Sequence, residues 1–102
     1  SLLMDIYSPL LTEKQKNIME LYYNDDLSLA EIAELNNTSR QAIHDLIKRC
    51  YKQILSYEDK LNLLKKSLEK ESVIEALLND MKKKYSIEEK DLEEYKDILF
   101  NL

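Results

Sequence analysis

From residue 10 to residue 102 the chain contains neither glycine nor proline; glycine is absent altogether, and the single proline is Pro9. These residues are the strongest interrupters of a helix, one because it keeps too much backbone freedom and the other because it lacks an N–H donor. With Leu, Glu, Lys and Ile abundant, an almost wholly helical, all-α chain is expected. Its 102 residues are enough for one compact domain or for two small halves sharing a helix.

Capping chemistry marks where helices start. Thr12 precedes Gln15 by three residues, Ser28 precedes Glu31 and Thr38 precedes Gln41. Each pair can close a capping box, so helices are expected to begin near residues 13, 29 and 39. The first would place Ile18, Leu21 and Tyr22 on one face and leave through the polar run 24–26; the second would turn Leu29, Ile32, Ala33 and Leu35 inward. Asn36 and Asn37 stand where the chain must turn, and Asn tolerates the left-handed conformation better than most residues other than Gly. A helix-turn-helix needs a small residue where its helices meet, a turn residue four positions on, and an apolar anchor six positions later; Ala33, Asn37 and Ile43 fill those places, with Leu46 beyond. An ordinary helical hairpin is the alternative, and the number of agreeing positions favours the helix-turn-helix.

Residues 10–61, LLTEKQKNIMELYYNDDLSLAEIAELNNTSRQAIHDLIKRCYKQILSYEDKL, with the core SRQAI-x-D-x-IKR, resemble the YlxM family of small bacterial proteins. Genes of that family are found beside those of the signal recognition particle, and its helix-turn-helix is similar to region four of sigma factors. The resemblance implies a sigma region four-like fold with an extended third helix and C-terminal helices, a DNA-binding motif, and an accessory or regulatory role in the signal recognition particle pathway. Asn37 replaces the Gly or apolar residue common before SRQA, and His44 replaces a common aromatic such as Tyr. The tail beyond about residue 65 reads as divergent from the family.

The second helix of the motif carries the candidate nucleic-acid-binding residues Ser39, Arg40, Gln41, His44, Lys48, Arg49 and Lys52. Ser39, Arg40 and Gln41 lie at the end that normally enters the major groove, where Arg and Gln make bidentate contacts to base edges. Lys48, Arg49 and Lys52 are placed for phosphates. Asp45, with Glu31 and Glu34 on the preceding helix, would repel phosphate. The competing reading pairs Arg40 and Lys48 with nearby acids on a solvated face, and for His44 an ordinary surface role is preferred.

Charge confines any such function to a local face. Fifteen Lys and Arg against twenty Asp and Glu leave a net charge of −5, whereas a general nucleic-acid coat is basic overall. Residues 28–52 carry four basic against three acidic side chains, and 60–84 carry seven against four; the remaining segments are acidic. Catalysis finds little support, since there is no Gly-rich phosphate loop and no Ser/His/Asp set that the sequence can place together. The lone Cys50 and lone His44 match no metal spacing, so neither a catalytic residue, a metal nor a cofactor is expected. No apolar run approaches the roughly 18 residues of a membrane span, and SLLMDIYSPLL lacks a basic leader region. A cytoplasmic protein without membrane contact is expected.

Beyond Arg49 the apolar residues Ile43, Ile47, Cys50, Ile54, Tyr57, Leu61, Leu64 and Leu68 recur at heptad spacing, broadened by Leu46, Leu55 and Leu63. An unbroken helix to about Leu68 would carry this stripe and offer it to helices of its own chain as well as to a second copy, making a homodimer; a break near Ser56, with Ser56 and Asp59 starting a new helix, is the alternative. Cys50 then becomes a small core residue. A helix-turn-helix domain over 10–56 and a C-terminal extension over 57–102, used for packing or dimerisation, follow from this division. In the extension, helices are expected after Ser72, burying Val73, Ile74, Leu77, Leu78 and Met81, and after a Ser86/Glu89 capping box, burying Leu92, Tyr95, Ile98, Leu99 and Phe100. The lysines at 82–84 read as a helix end favourable to the dipole.

Two functions remain open. One is a regulator that binds DNA or the particle's RNA through residues 28–52. The other is a module that binds a particle protein and keeps the helix-turn-helix as architecture.

Overall fold

The computed structural model of the chain describes residues 1–102. Six α-helices, α1 (Leu2–Tyr7), α2 (Glu13–Tyr23), α3 (Leu29–Leu35), α4 (Arg40–Leu61), α5 (Leu63–Lys84) and α6 (Glu89–Phe100), are joined by short connections, with a 3-10 turn over Ser8–Leu10. The chain divides into two compact units, Ser1–Leu64 and Lys65–Leu102. No helix is long and apolar enough to cross a membrane.

In the first unit the capping boxes at Thr12/Gln15 and Ser28/Glu31 form reciprocally, with backbone-to-side-chain distances of 3.1–3.2 Å. The third start falls one residue later than expected. Ser39, not Thr38, is the cap, its Oγ accepting from the Ala42 N–H at 3.1 Å. Thr38 is instead used to close α3: its N–H bonds the Ala33 carbonyl at 3.0 Å, while the Asn37 N–H reaches Glu34 O at 3.3 Å. With Asn37 left-handed at φ 50°, this is a Schellman motif in which asparagine does the work usually left to glycine. Asn36 reinforces it, its Nδ2 donating to Ile32 O at 2.8 Å.

The longest helix of this unit, α4, is its axis, packing against α1, α2 and α3. Ile43, Ile47, Cys50 and Ile54 of α4 are buried with Ile18 and Met19 of α2, Ile32 and Ala33 of α3, and Met4 and Tyr7 of α1. Leu35, expected inward, is 64% exposed. Helix geometry puts it about 110° round from the Ile32/Ala33 face, so it points away from α4. Tyr22 likewise lies on the rim and not in the core.

The apolar stripe is divided between the chain's own core and solvent, and its helix is shorter than expected. Its first four positions are buried in the chain's own core, with Met4 and Tyr7 of α1, Ile18 and Met19 of α2 and Ile32 and Ala33 of α3. Only its far end stays open, with Leu61 and Leu68 exposed. The helix also neither runs unbroken to Leu68 nor breaks near Ser56: it ends at Leu61, and Asn62 turns left-handed (φ 54°, ψ 32°) before α5 begins. The break falls where the free N–H groups of the next helix find acceptors. Leu63 N–H donates to the Tyr7 hydroxyl at 3.3 Å and Leu64 N–H to Glu58 Oε1 at 2.9 Å.

In the second unit α5 passes straight through Ser72, so the helix start expected there does not exist. Ile74 and Leu78 of α5 and Leu92 of α6 are buried, with Met81, Ile87, Leu99 and Phe100 packed around them. Val73, Leu77, Tyr95 and Ile98, also expected inside, are exposed. Nor does the Ser86/Glu89 box form: Glu88 caps α6 without a side-chain bond, and Glu89 pairs with Lys82 instead. A further ion pair joins Lys96 to Glu75 at 2.6 Å. Lys82, Lys83 and Lys84 occupy the last turn of α5, as expected.

Candidate nucleic-acid interface

After the Asn37 turn α4 starts with Ile43 and Ile47 in the core and its opposite side exposed. Ser39 is committed to its cap and offers its hydroxyl there. Arg40, Lys48, Arg49 and Lys52 are all exposed, and none of them joins an ion pair. Gln41 and His44 are drawn to the acid among them: Gln41 Nε2 donates to Asp45 Oδ1 at 2.9 Å, and His44 Nδ1 lies 3.6 Å from the same oxygen.

Helical spacing sorts these side chains. Arg40, His44 and Lys48 succeed one another at i, i+4 and i+8, and Tyr51, Lys52 and Leu55 continue the same side. Arg49 lies about 180° round the helix from Arg40 and stands apart from that row. Two adjoining hollows follow the row. One of about 440 Å³ is lined by Leu29, Arg40, Gln41 and His44. The other, of about 410 Å³, also touches Leu29 and His44 and opens between Tyr22 and Tyr23 at the end of α2 and Lys48, Tyr51, Lys52 and Leu55 of α4.

The opposing acids are distributed unequally. Glu31 and Glu34 line a separate hollow with Leu27 and Leu35, away from the α4 row. The Ser28 backbone and hydroxyl hydrogen bonds hold the Glu31 carboxyl below its usual range, which fits its use as a cap. Asp45 remains on the exposed outer side of α4.

Tyr22, Tyr23, Tyr51 and Leu55 were missed as site residues by sequence reading. Tyr22 and Tyr23 meet edge to face, with centroids 5.0 Å apart and planes at 86°. Burial, and then the neighbouring Tyr22 and Tyr51, push the Tyr23 phenol above its ordinary range. The clue available was Tyr51, three residues after Lys48 on a helix whose inner face was already accounted for. Cys50 is buried, and burial raises its thiol against the lowering influence of Arg49, as suits a core residue.

Residues 1–98 match the family described as "Putative helix-turn-helix protein, YlxM / p13 like". The chain belongs to this family. It is 67% identical over 102 residues to a UPF0122 protein of Clostridium botulinum, covering all of this chain and 94% of the relative. A UPF0122 protein of Clostridium perfringens (strain SM101) is 56% identical over 97 residues, covering 95% of this chain and 86% of the relative. One from Clostridium acetobutylicum is 63% identical over 73 residues, 72% of this chain and 63% of the relative. Family likeness thus extends well past residue 65, where the tail had read as divergent.

Proposed function

We propose that the chain is a nucleic-acid-binding regulatory protein that uses α4 of its helix-turn-helix as the reading element. The observation that carries this is the row of unpaired cations, Arg40, Lys48 and Lys52, on an exposed side of α4 next to a hollow that no carboxylate lines. Arg40 occupies the first turn, where side chains reach base edges; Lys48 and Lys52 lie two and three turns on, within reach of the backbone only. The family resemblance adds the biological setting, an accessory role in the signal recognition particle pathway of the cytoplasm, with DNA or the particle's RNA as ligand. Titrating the purified chain against duplex DNA, particle RNA and particle protein at matched salt tests the reading. Salt-dependent binding to either nucleic acid, weakened by Arg40→Ala, supports it.

A second reading keeps the helix-turn-helix as a scaffold for binding a particle protein. Asp45 favours it, because an exposed carboxylate on the outer side of α4 that also ties up Gln41 opposes phosphate. Binding of the particle protein alone, unaffected by Arg40→Ala, decides for this reading. Under either, self-association belongs to the second unit, whose Val73, Leu77, Tyr95 and Ile98 are exposed.

A further inference from the structure

The hollow between the end of α2 and the middle of α4 has a lining that a duplex reader does not need. Tyr22, Tyr23, Tyr51 and Leu55 are each between 36% and 43% exposed, so aromatic surface is held open to solvent. Two of its rings are fixed edge to face, an arrangement in which the ring presenting its edge keeps its faces clear of the other ring. The only formally charged residues in the lining are Lys48 and Lys52, in a chain whose net charge is −5. Aromatic faces flanked by cations without carboxylates attract a ligand that is flat, apolar on its faces and anionic at its edge. Unpaired nucleobases on a phosphate backbone have that chemistry. A duplex does not, because its bases are stacked on each other and unavailable to a side-chain ring.

We propose that this groove binds single-stranded nucleic acid, with Tyr22, Tyr23 and Tyr51 offering faces to unpaired bases and Lys48 and Lys52 neutralising the adjoining phosphates. The groove lies along the proposed reading surface and shares its two lysines, and the aromatic faces are what it adds. The test uses the full chain and a labelled oligouridylate of about ten nucleotides, within the span of roughly 4–16 covered by one small binding fold. An oligothymidylate of equal length separates RNA from DNA, and a duplex DNA serves as the parallel arm.

Tyr51→Leu and Tyr23→Leu, with folding checked by circular dichroism, should each weaken oligouridylate binding about tenfold, whereas Tyr51→Phe, which keeps the ring, should stay within about threefold. Duplex affinity should change less than oligouridylate affinity in each Leu variant. The groove proposal is overturned if the Leu variants bind like the parent, if Phe loses as much as Leu, or if an acidic peptide occupies the groove while the single strand is ignored. Duplex bound and single strand ignored sinks the groove and leaves the reading helix. Single strand bound through the tyrosines with no duplex binding does the reverse.

Discussion

The Tyr7 hydroxyl donates a hydrogen bond to the carboxylate of Glu58, tying the first helix to the last turns of α4 across 51 positions of sequence. The same two side chains accept the Leu63 and Leu64 N–H groups, so together they terminate α4's run and start α5. Burial raises the Tyr7 phenol above its ordinary value of 10.0, and the hydrogen bond to Glu58 adds to it. The folded chain therefore holds this proton more tightly than the unfolded chain. The stability it contributes is complete below pH 10 and is lost as pH rises through the raised value. Tyr7→Phe should lower Tm by several degrees at neutral pH and flatten its alkaline decline, as melts followed by circular dichroism from about pH 8 to about pH 11 would report.

Asn62 holds a left-handed conformation that a β-carbon disfavours. Asn62→Ala should cost about 1 kcal/mol in urea unfolding, whereas Asn62→Gly should be close to neutral.

On nucleic acid the α4 row should separate by role. Arg40→Ala is expected to reduce sequence discrimination by roughly 1–3 kcal/mol, and Lys52→Ala to weaken all sequences alike while lowering the salt slope by about one. Arg49→Ala, on the far side of the helix from Arg40, should have a smaller effect than Lys52→Ala. Asp45→Asn should tighten nonspecific binding. Filter or anisotropy titrations at several salt concentrations measure all four.

Sedimentation velocity at tens of micromolar, roughly the upper range for a modest functional interface, should find a dimer. Leu77→Asp or Ile98→Asp should give a folded monomer. Ile54→Asp should unfold the first unit instead, because Ile54 is buried in its core.

The motif was legible because its signals are local. Thr12/Gln15 and Ser28/Glu31 place their partners three residues apart, and Ala33, Asn37 and Ile43 obey a fixed spacing. The end of α4 was not, since the break at Asn62 depends on Tyr7, whose role is visible only once α1 has folded back onto α4. Heptad spacing over 43–68 left a related question open: periodicity shows which face is apolar, not whether the cover is a second copy or helices of the same chain. In the candidate site, Arg40, Lys48 and Lys52 could be read from position along one helix. The Tyr22–Tyr51 groove needed the end of α2 to be brought beside the middle of α4.

Because α4 is gripped along its inner face by three other helices, its outer side is preformed before any ligand arrives. Little chain ordering is then left to be done on binding. Calorimetry of a ligand meeting this unit should accordingly show a small heat-capacity change, set by the surfaces that touch. The large negative value that accompanies a disordered basic segment folding onto its target should be absent.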